Sequence, residues 1–182
     1  RRILQRVLDR AILLSVIFAL PALISSVIRA IDKGWQPVFG LQVGALLLMC
    51  VLLWRRHQTS STVKANVLIG VCVLIAWGGL ATFGVMAAAG HWFAALSAFY
   101  IGMAYTTRGG YIASGVVLAG VIAIAMLEIG DVLVPLTSPE IFVSDLNYWI
   151  VELLCALLFI AVILPAVRDY KAAIRAMIVD SE

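Results

Sequence analysis

Apolar residues fill this chain in runs of nearly membrane length, separated by short polar breaks, and no run shows the strict alternation that marks a half-buried strand. Six runs stand out, at residues 11–31, 37–54, 65–88, 91–106, 110–129 and 147–167. A helix rising about 1.5 Å per residue needs roughly 17 to 25 apolar residues to cross a hydrocarbon core of about 30 Å. The pattern therefore predicts an all-α, polytopic bundle of six transmembrane helices. The fourth run is the shortest. The small pair Ala89-Gly90 before it predicts a tight turn that makes the third and fourth helices an antiparallel hairpin. Residues 130–146 form the longest polar break, with Asp131, Glu140, Asp145, Pro135 and Pro139 and no basic residue, which predicts an acidic external loop stiffened by proline.

The two ends carry different patterns. In residues 1–10, Ile3, Leu4, Val7 and Leu8 repeat at helical spacing among Arg1, Arg2, Gln5, Arg6 and Asp9, which predicts an interfacial amphipathic helix ahead of a membrane domain over 11–168. At the other end, Leu157, Ile160, Leu164, Val167, Lys171, Ile174 and Ile178 follow one another by three and four residues. This seam runs out of the last span without a glycine break, and residues 169–182 read as the start of a cytoplasmic signalling helix. Two explanations fit the apolar Ile174, Met177 and Ile178: an amphipathic tail lying on the bilayer, or a dimerising stalk that continues into an output domain.

Composition and charge give the bundle an orientation. With 64% hydrophobic and 13% charged residues and a mean hydropathy of +1.09, the chain has too little polar surface to face water, and its solvent is lipid. Eleven of its thirteen basic residues (Arg1, Arg2, Arg6, Arg10, Arg55, Arg56, Lys64, Arg108, Arg168, Lys171 and Arg175) fall on one side of the predicted spans, leaving Arg29 and Lys33 for the other. The positive-inside rule then places both termini in the cytoplasm. It also accounts for the net charge of +3 without a nucleic-acid partner. Cys50, Cys72 and Cys155 lie inside apolar runs with no CxxC or CxxH spacing, so they read as packing residues and not as a disulfide or metal framework. The first residue is Arg and no cleavable signal precedes it, so a piece of a longer protein is expected.

Ionisable groups at membrane depth are the first candidates for function, because each costs about 2.5 to 3.5 kcal/mol to insert. Arg29 near the end of the first span, Glu128 at the end of the fifth and Glu152 near the start of the sixth are all expected in the outer leaflet. They either meet, leaving a carboxylate to hold a cation, a proton or a ligand's amine, or reach separately for the headgroups. Around them Trp35, Trp92, Tyr148 and Trp149 form an interfacial aromatic belt or the rim of a ligand entrance. His91 beside Trp92 is a polar helix start or a pocket residue, and it lies across the membrane from His57, too far for the two to share a haem. Trp77, near mid-depth beside Gly78 and Gly79, lines either a close helix contact or a cavity. Candidate ligand contacts are thus Arg29, Trp77, His91, Trp92, Glu128, Trp149 and Glu152. Small residues at Gly84 and Ala88 and at Gly115, Ala119 and Ala123 predict close helix packing. Ser25, Ser26, Gln42, Asn66, Thr82, Ser97 and Tyr100 are expected to make interhelical hydrogen bonds or polar pocket contacts. No Ser-His pair, HExxH, Walker A loop, paired acidic metal motif or dinucleotide loop is present, so no catalytic residue, metal or cofactor is expected.

Through Leu20-Pro-Ala-Leu-Ile-Ser-Ser-Val-Ile-Arg29, Gly34-Trp-Gln-Pro37, the Arg55-Arg56 loop, Gly78-Gly-Leu-Ala-Thr-Phe-Gly84 and Arg108-Gly109-Gly110, the chain resembles the multi-span N-terminal sensory regions of bacterial signalling receptors. The resemblance covers residues 20–110 and contains no catalytic signature. It implies an input domain of the bacterial inner membrane and carries over no family ligand; a homodimer is expected from the apolar seam, and a small amphipathic ligand or the membrane's state from external loops that, residues 130–146 aside, are too short to build a soluble binding domain. The signal would pass to a cytoplasmic histidine kinase or diguanylate cyclase. A small-solute transporter is the alternative, with Pro21 and Pro165 in the first and last spans but no repeat relating the two halves.

Overall fold

The computed structural model describes residues 2–84, 87–130, 132 and 146–179, and every regular element among them is helical. The elements are α1 (Arg2–Lys33), α2 (Pro37–Trp54), α3 (Ser61–Phe83), α4 (Ala88–Ala104), α5 (Thr107–Ile129) and α6 (Leu146–Val179). Local chemistry sets their ends. Pro37 starts α2, where its missing N–H costs nothing. Ser60 and Thr106 cap α3 and α5 by accepting from the Val63 and Gly109 amides at 3.4 and 2.9 Å. Gly84, at φ 72°, stops α3 in a conformation that a side chain resists.

Five of the helices, all but α4, are long and apolar enough to cross a membrane, and α4 has 17 residues. Large apolar side chains cover the outside, with Ile24, Leu47, Leu118 and Leu164 all more than half exposed, as expected where the surroundings are lipid. Helices α1, α2, α3, α4 and α6 pack into a ring, while α5 leans on the outside of it, chiefly against α4. No residue of α5 is buried.

Several sequence expectations change here. Residues 2–33 form one uninterrupted helix, with Leu8 and Ile12 completely buried, so the segment from Arg2 to Arg10 is continuous with the first span. Helix α3 ends at Phe83 and α4 begins at Ala88, so the expected turn residues Ala89-Gly90 lie inside α4. Gly90 belongs to the first turn of α4, where an added Cβ would lie 3.0 Å from Leu80, so its smallness serves helix contact. Gly115, Ala119 and Ala123 face outward, and an added Cβ at Gly115 meets nothing. The close approach of α5 to α4 is made instead by Gly110 against Gly102, where an added Cβ would fall 2.8 Å from the Gly102 Cα. Cys72 and Cys155 are buried packing residues, but Cys50 is exposed. Lys64, one of the eleven basic residues on the expected cytoplasmic side, is completely buried at the start of α3 and pairs with Asp9 at 2.5 Å.

Candidate functional site

At the end of the bundle away from the N-terminus, the ring of five helices opens into a cavity of about 100 Å³. Its walls come from α1, α2, α3, α4 and α6, and none from α5. Most of the lining is apolar: Phe18, Leu23, Ala45, Met49, Val71 and Leu158 are typical. Polar groups are few. Ser15 and Arg29 from α1, Gln42 from α2, and Tyr148 and Glu152 from α6 supply them.

Arg29 and Glu152 are each only 7% exposed, so both are held inside the protein and neither reaches for the headgroups. The Arg29 guanidinium sits over the Phe39 and Phe83 rings, 5.6 and 5.2 Å from their centroids, a position in which the aromatic faces share its charge. Val38, Phe39, Phe83, Ala87 and Tyr148 form a small apolar cluster around this corner. Glu152 is approached by the Ala89 backbone N–H and the Tyr148 hydroxyl and lies in the field of Arg29. Its Oε2 is nevertheless buried without a hydrogen-bond donor, and so is Gln42 Oε1. A buried acceptor left without a donor costs about 1 to 3 kcal/mol, which is why such atoms are rare and informative.

The other candidate residues fall around this site or away from it. Glu128 does not line the cavity, but its carboxylate rests against Gly84, next to the Phe83 that Arg29 covers. A Cβ at Gly84 would collide with that carboxylate, so the glycine serves backbone conformation and side-chain room at once. Trp77 points outward to α5, and the end of its ring occupies the space a Cβ on Gly120 would take. It is a packing residue of the α3–α5 contact. The His91 ring nitrogen Nδ1 lies 3.1 Å from the Ala87 carbonyl, Trp92 packs on Phe159 at 5.1 Å, and Trp149 packs edge-on against Tyr148 at 5.3 Å. None of these lines the cavity. Among the polar residues expected between helices, Thr82 and Ser97 bond within their own helices, to Gly78 and Ala94. Tyr105, unforeseen, donates to Asn66 across α3 and the end of α4. Phe39, Phe83 and the Gln42 acceptor complete the site. Of these only Gln42 carried a signal in the sequence, because an aromatic ring in an apolar helix looks the same whether it faces a cation or lipid.

On α6, Leu157, Ile160, Leu164 and Val167 are 41–64% exposed, whereas Cys155, Leu158, Val162 and Ala166 are buried. The predicted seam therefore lies on the outward face of α6. The side chains of Ile174 and Ile178 lie outside the described residues, although the helix itself continues to Val179. Among the described residues, no three His, Cys, Asp or Glu side chains gather as a metal site. No protein-family model matches the chain, and no curated protein or solved structure matches it either.

Proposed function

We propose that the chain is the sensory input region of a bacterial signal-transduction receptor. In this reading it crosses the plasma membrane six times with both termini in the cytoplasm and dimerises through the outward seam of α6. It passes the occupancy of its cavity to a histidine kinase or diguanylate cyclase. One observation carries the reading: a helix that lines the cavity continues unbroken past Asp169, its contact with Arg10 at the opposite end of the bundle, to Val179. Tyr148, Glu152, Cys155 and Leu158 of α6 face the cavity, and the same helix runs on unbroken to Val179. At about 1.5 Å per residue its 34 residues extend about 51 Å, well beyond a hydrocarbon core of about 30 Å. A ligand that shifts or rotates the cavity end of such a helix moves its other end as well.

The test is to join α6 in register to a cytoplasmic kinase or cyclase and insert one to four residues after Lys171. Because a helix turns about 100° per residue, output should rise and fall with the helical period. Output that ignores the phase of insertion would count against transmission through α6 and leave solute transport as the better account.

A further inference from the structure

We propose that the cavity binds a primary amine carrying a short apolar chain, with Glu152 and Gln42 receiving the ammonium group. The proposal rests on reading the cavity as a ligand site, and it goes further by naming the chemistry of the head and the tail.

Two acceptors without donors, Glu152 Oε2 and Gln42 Oε1, belong to walls of the same cavity, one on α6 and the other on α2. What these two oxygens lack is a donor. An ammonium group brings three N–H donors and no acceptor, enough for two such oxygens with one to spare, whereas an alcohol brings a single O–H. Charge selects the same group. Among the residues that line the cavity, Arg29 is the one cation and Glu152 the one carboxylate, with the Glu128 carboxylate close by at Gly84, and the Arg29 guanidinium lies over the Phe39 and Phe83 rings. A carboxylate ligand would bring a third negative charge to this corner. An ammonium brings positive charge to a buried carboxylate, the pairing that burial demands.

The tail follows from the remaining walls. Away from the polar corner the lining is chiefly Leu68, Val71, Cys72, Met49 and Leu158, with Ser15 its one hydroxyl residue, and it offers a molecule mainly apolar contact. The volume of about 100 Å³ compares with the roughly 150 Å³ of an apolar cavity that takes up benzene, and it limits the tail to about four to six carbons. Such a head can belong to a free alkylamine or to the ethanolamine headgroup of a lipid.

The experiment uses the chain in nanodiscs of phosphatidylglycerol, which contain no amine lipid, and titrates n-butylammonium, n-butanol and butyrate while following thermal unfolding. Butylammonium should give a saturable rise in melting temperature with an affinity at least tenfold tighter than butanol, and butyrate should give none. Glu152→Gln should weaken butylammonium at least tenfold, and Gln42→Leu by a smaller factor. Equal responses to the three probes, preferential binding of butyrate, or an unchanged affinity in Glu152→Gln would overturn the proposal. Should Glu152→Gln not fold, the three probes on the unaltered chain decide alone. Repeating the titration in phosphatidylethanolamine nanodiscs separates the two sources: weaker apparent binding of butylammonium assigns the site to the lipid headgroup, and unchanged binding assigns it to free amines, the amine chemistry standing in both cases. Amine binding without phase-dependent output would uphold the site and remove the sensory reading, and phase-dependent output without amine binding would do the reverse.

Discussion

The two ends of the bundle hold similar charged groups and use them in opposite ways. Near the termini, Lys64 of α3 is completely buried and meets Asp9 of α1 at 2.5 Å, and Arg10 of α1 meets Asp169 of α6 at 2.9 Å. Each charge has a close partner. Leu8, Ile12, Leu68, Tyr100 and Val162 pack densely beneath them, and the cavity beside Arg10 and Asp169 amounts to only about 10 Å³. At the far end, Arg29 and Glu152 are as deeply placed but border about 100 Å³ of free volume, and acceptors on its walls have no donor. Closed pairs in a packed region fasten helices together. Unfulfilled acceptors around a cavity are what a region looks like when something else completes it.

The sharpest way to break this contrast is at the closed end. Asp9→Ala should destabilise the protein by about 3 to 5 kcal/mol, because it leaves the ammonium of Lys64 buried without its carboxylate. Asp9→Ala combined with Lys64→Met should recover most of that loss, since no buried charge then remains. Unfolding of the three proteins in the same detergent measures both effects. A double variant no better than Asp9→Ala alone would mean that the pair is not coupled as its geometry states.

Next in size is the packing of α5. Gly110→Ala should cost about 1 to 3 kcal/mol, because the added Cβ meets the Gly102 backbone at 2.8 Å and backbone cannot step aside as a flexible side chain does. Gly115→Ala, with nothing within reach, should be neutral within about 0.5 kcal/mol. If the two behave alike, α5 does not sit against α4 through its glycine face. A double-mutant cycle then asks whether the open end is coupled at all. Arg29→Met and Glu152→Gln should show a coupling of about 0.5 to 3 kcal/mol by unfolding, comparable to neighbours elsewhere but with the site still incomplete. Additive effects would separate the two charges.

How far each end could be read from the sequence follows from the same physics. Arg29 and Glu152 were visible because charge at membrane depth is costly wherever it occurs, so position along an apolar run was enough. Lys64 was not visible. It stands four residues after the Ser60 cap, where a lysine is ordinarily solvated, and only Asp9, 55 residues away, turns it inward. Trp77 was read as lining either a close helix contact or a cavity beside Gly78 and Gly79, and its ring lies instead in the space beside Gly120 on α5. The small residues misled in both directions. Gly115, Ala119 and Ala123 have the spacing of a packing stripe and face outward, while Gly110 and Gly102, outside any such stripe, make the closest approach. Spacing identifies a face of a helix, and it does not say which neighbour that face meets. The five long helices and the all-α class needed no such knowledge, because span length and polarity are properties of each segment alone.

The smallest expected effect concerns the second ion pair. Arg10 is half exposed and Asp169 about one-fifth exposed, and Asp169 also lies 3.6 Å from the neighbouring Arg168. Water and a second cation therefore remain available to the carboxylate when Arg10 is removed, which was not the case for Lys64. Arg10→Ala should cost no more than about 1 kcal/mol, and adding salt should reduce the difference from the unaltered protein, because exposed pairs are screened. The measurement is unfolding of both proteins at low and high ionic strength. A loss as large as that of Asp9→Ala, unchanged by salt, would show that the Arg10–Asp169 contact is desolvated, and that α1 and α6 are clamped together ahead of the last turns of α6. Movement of α6 against α1 would then be resisted at the very end through which the proposed signal passes. A small, salt-sensitive loss leaves that contact free to break and reform as α6 moves, while Lys64 and Asp9 keep α1 and α3 fixed beside it.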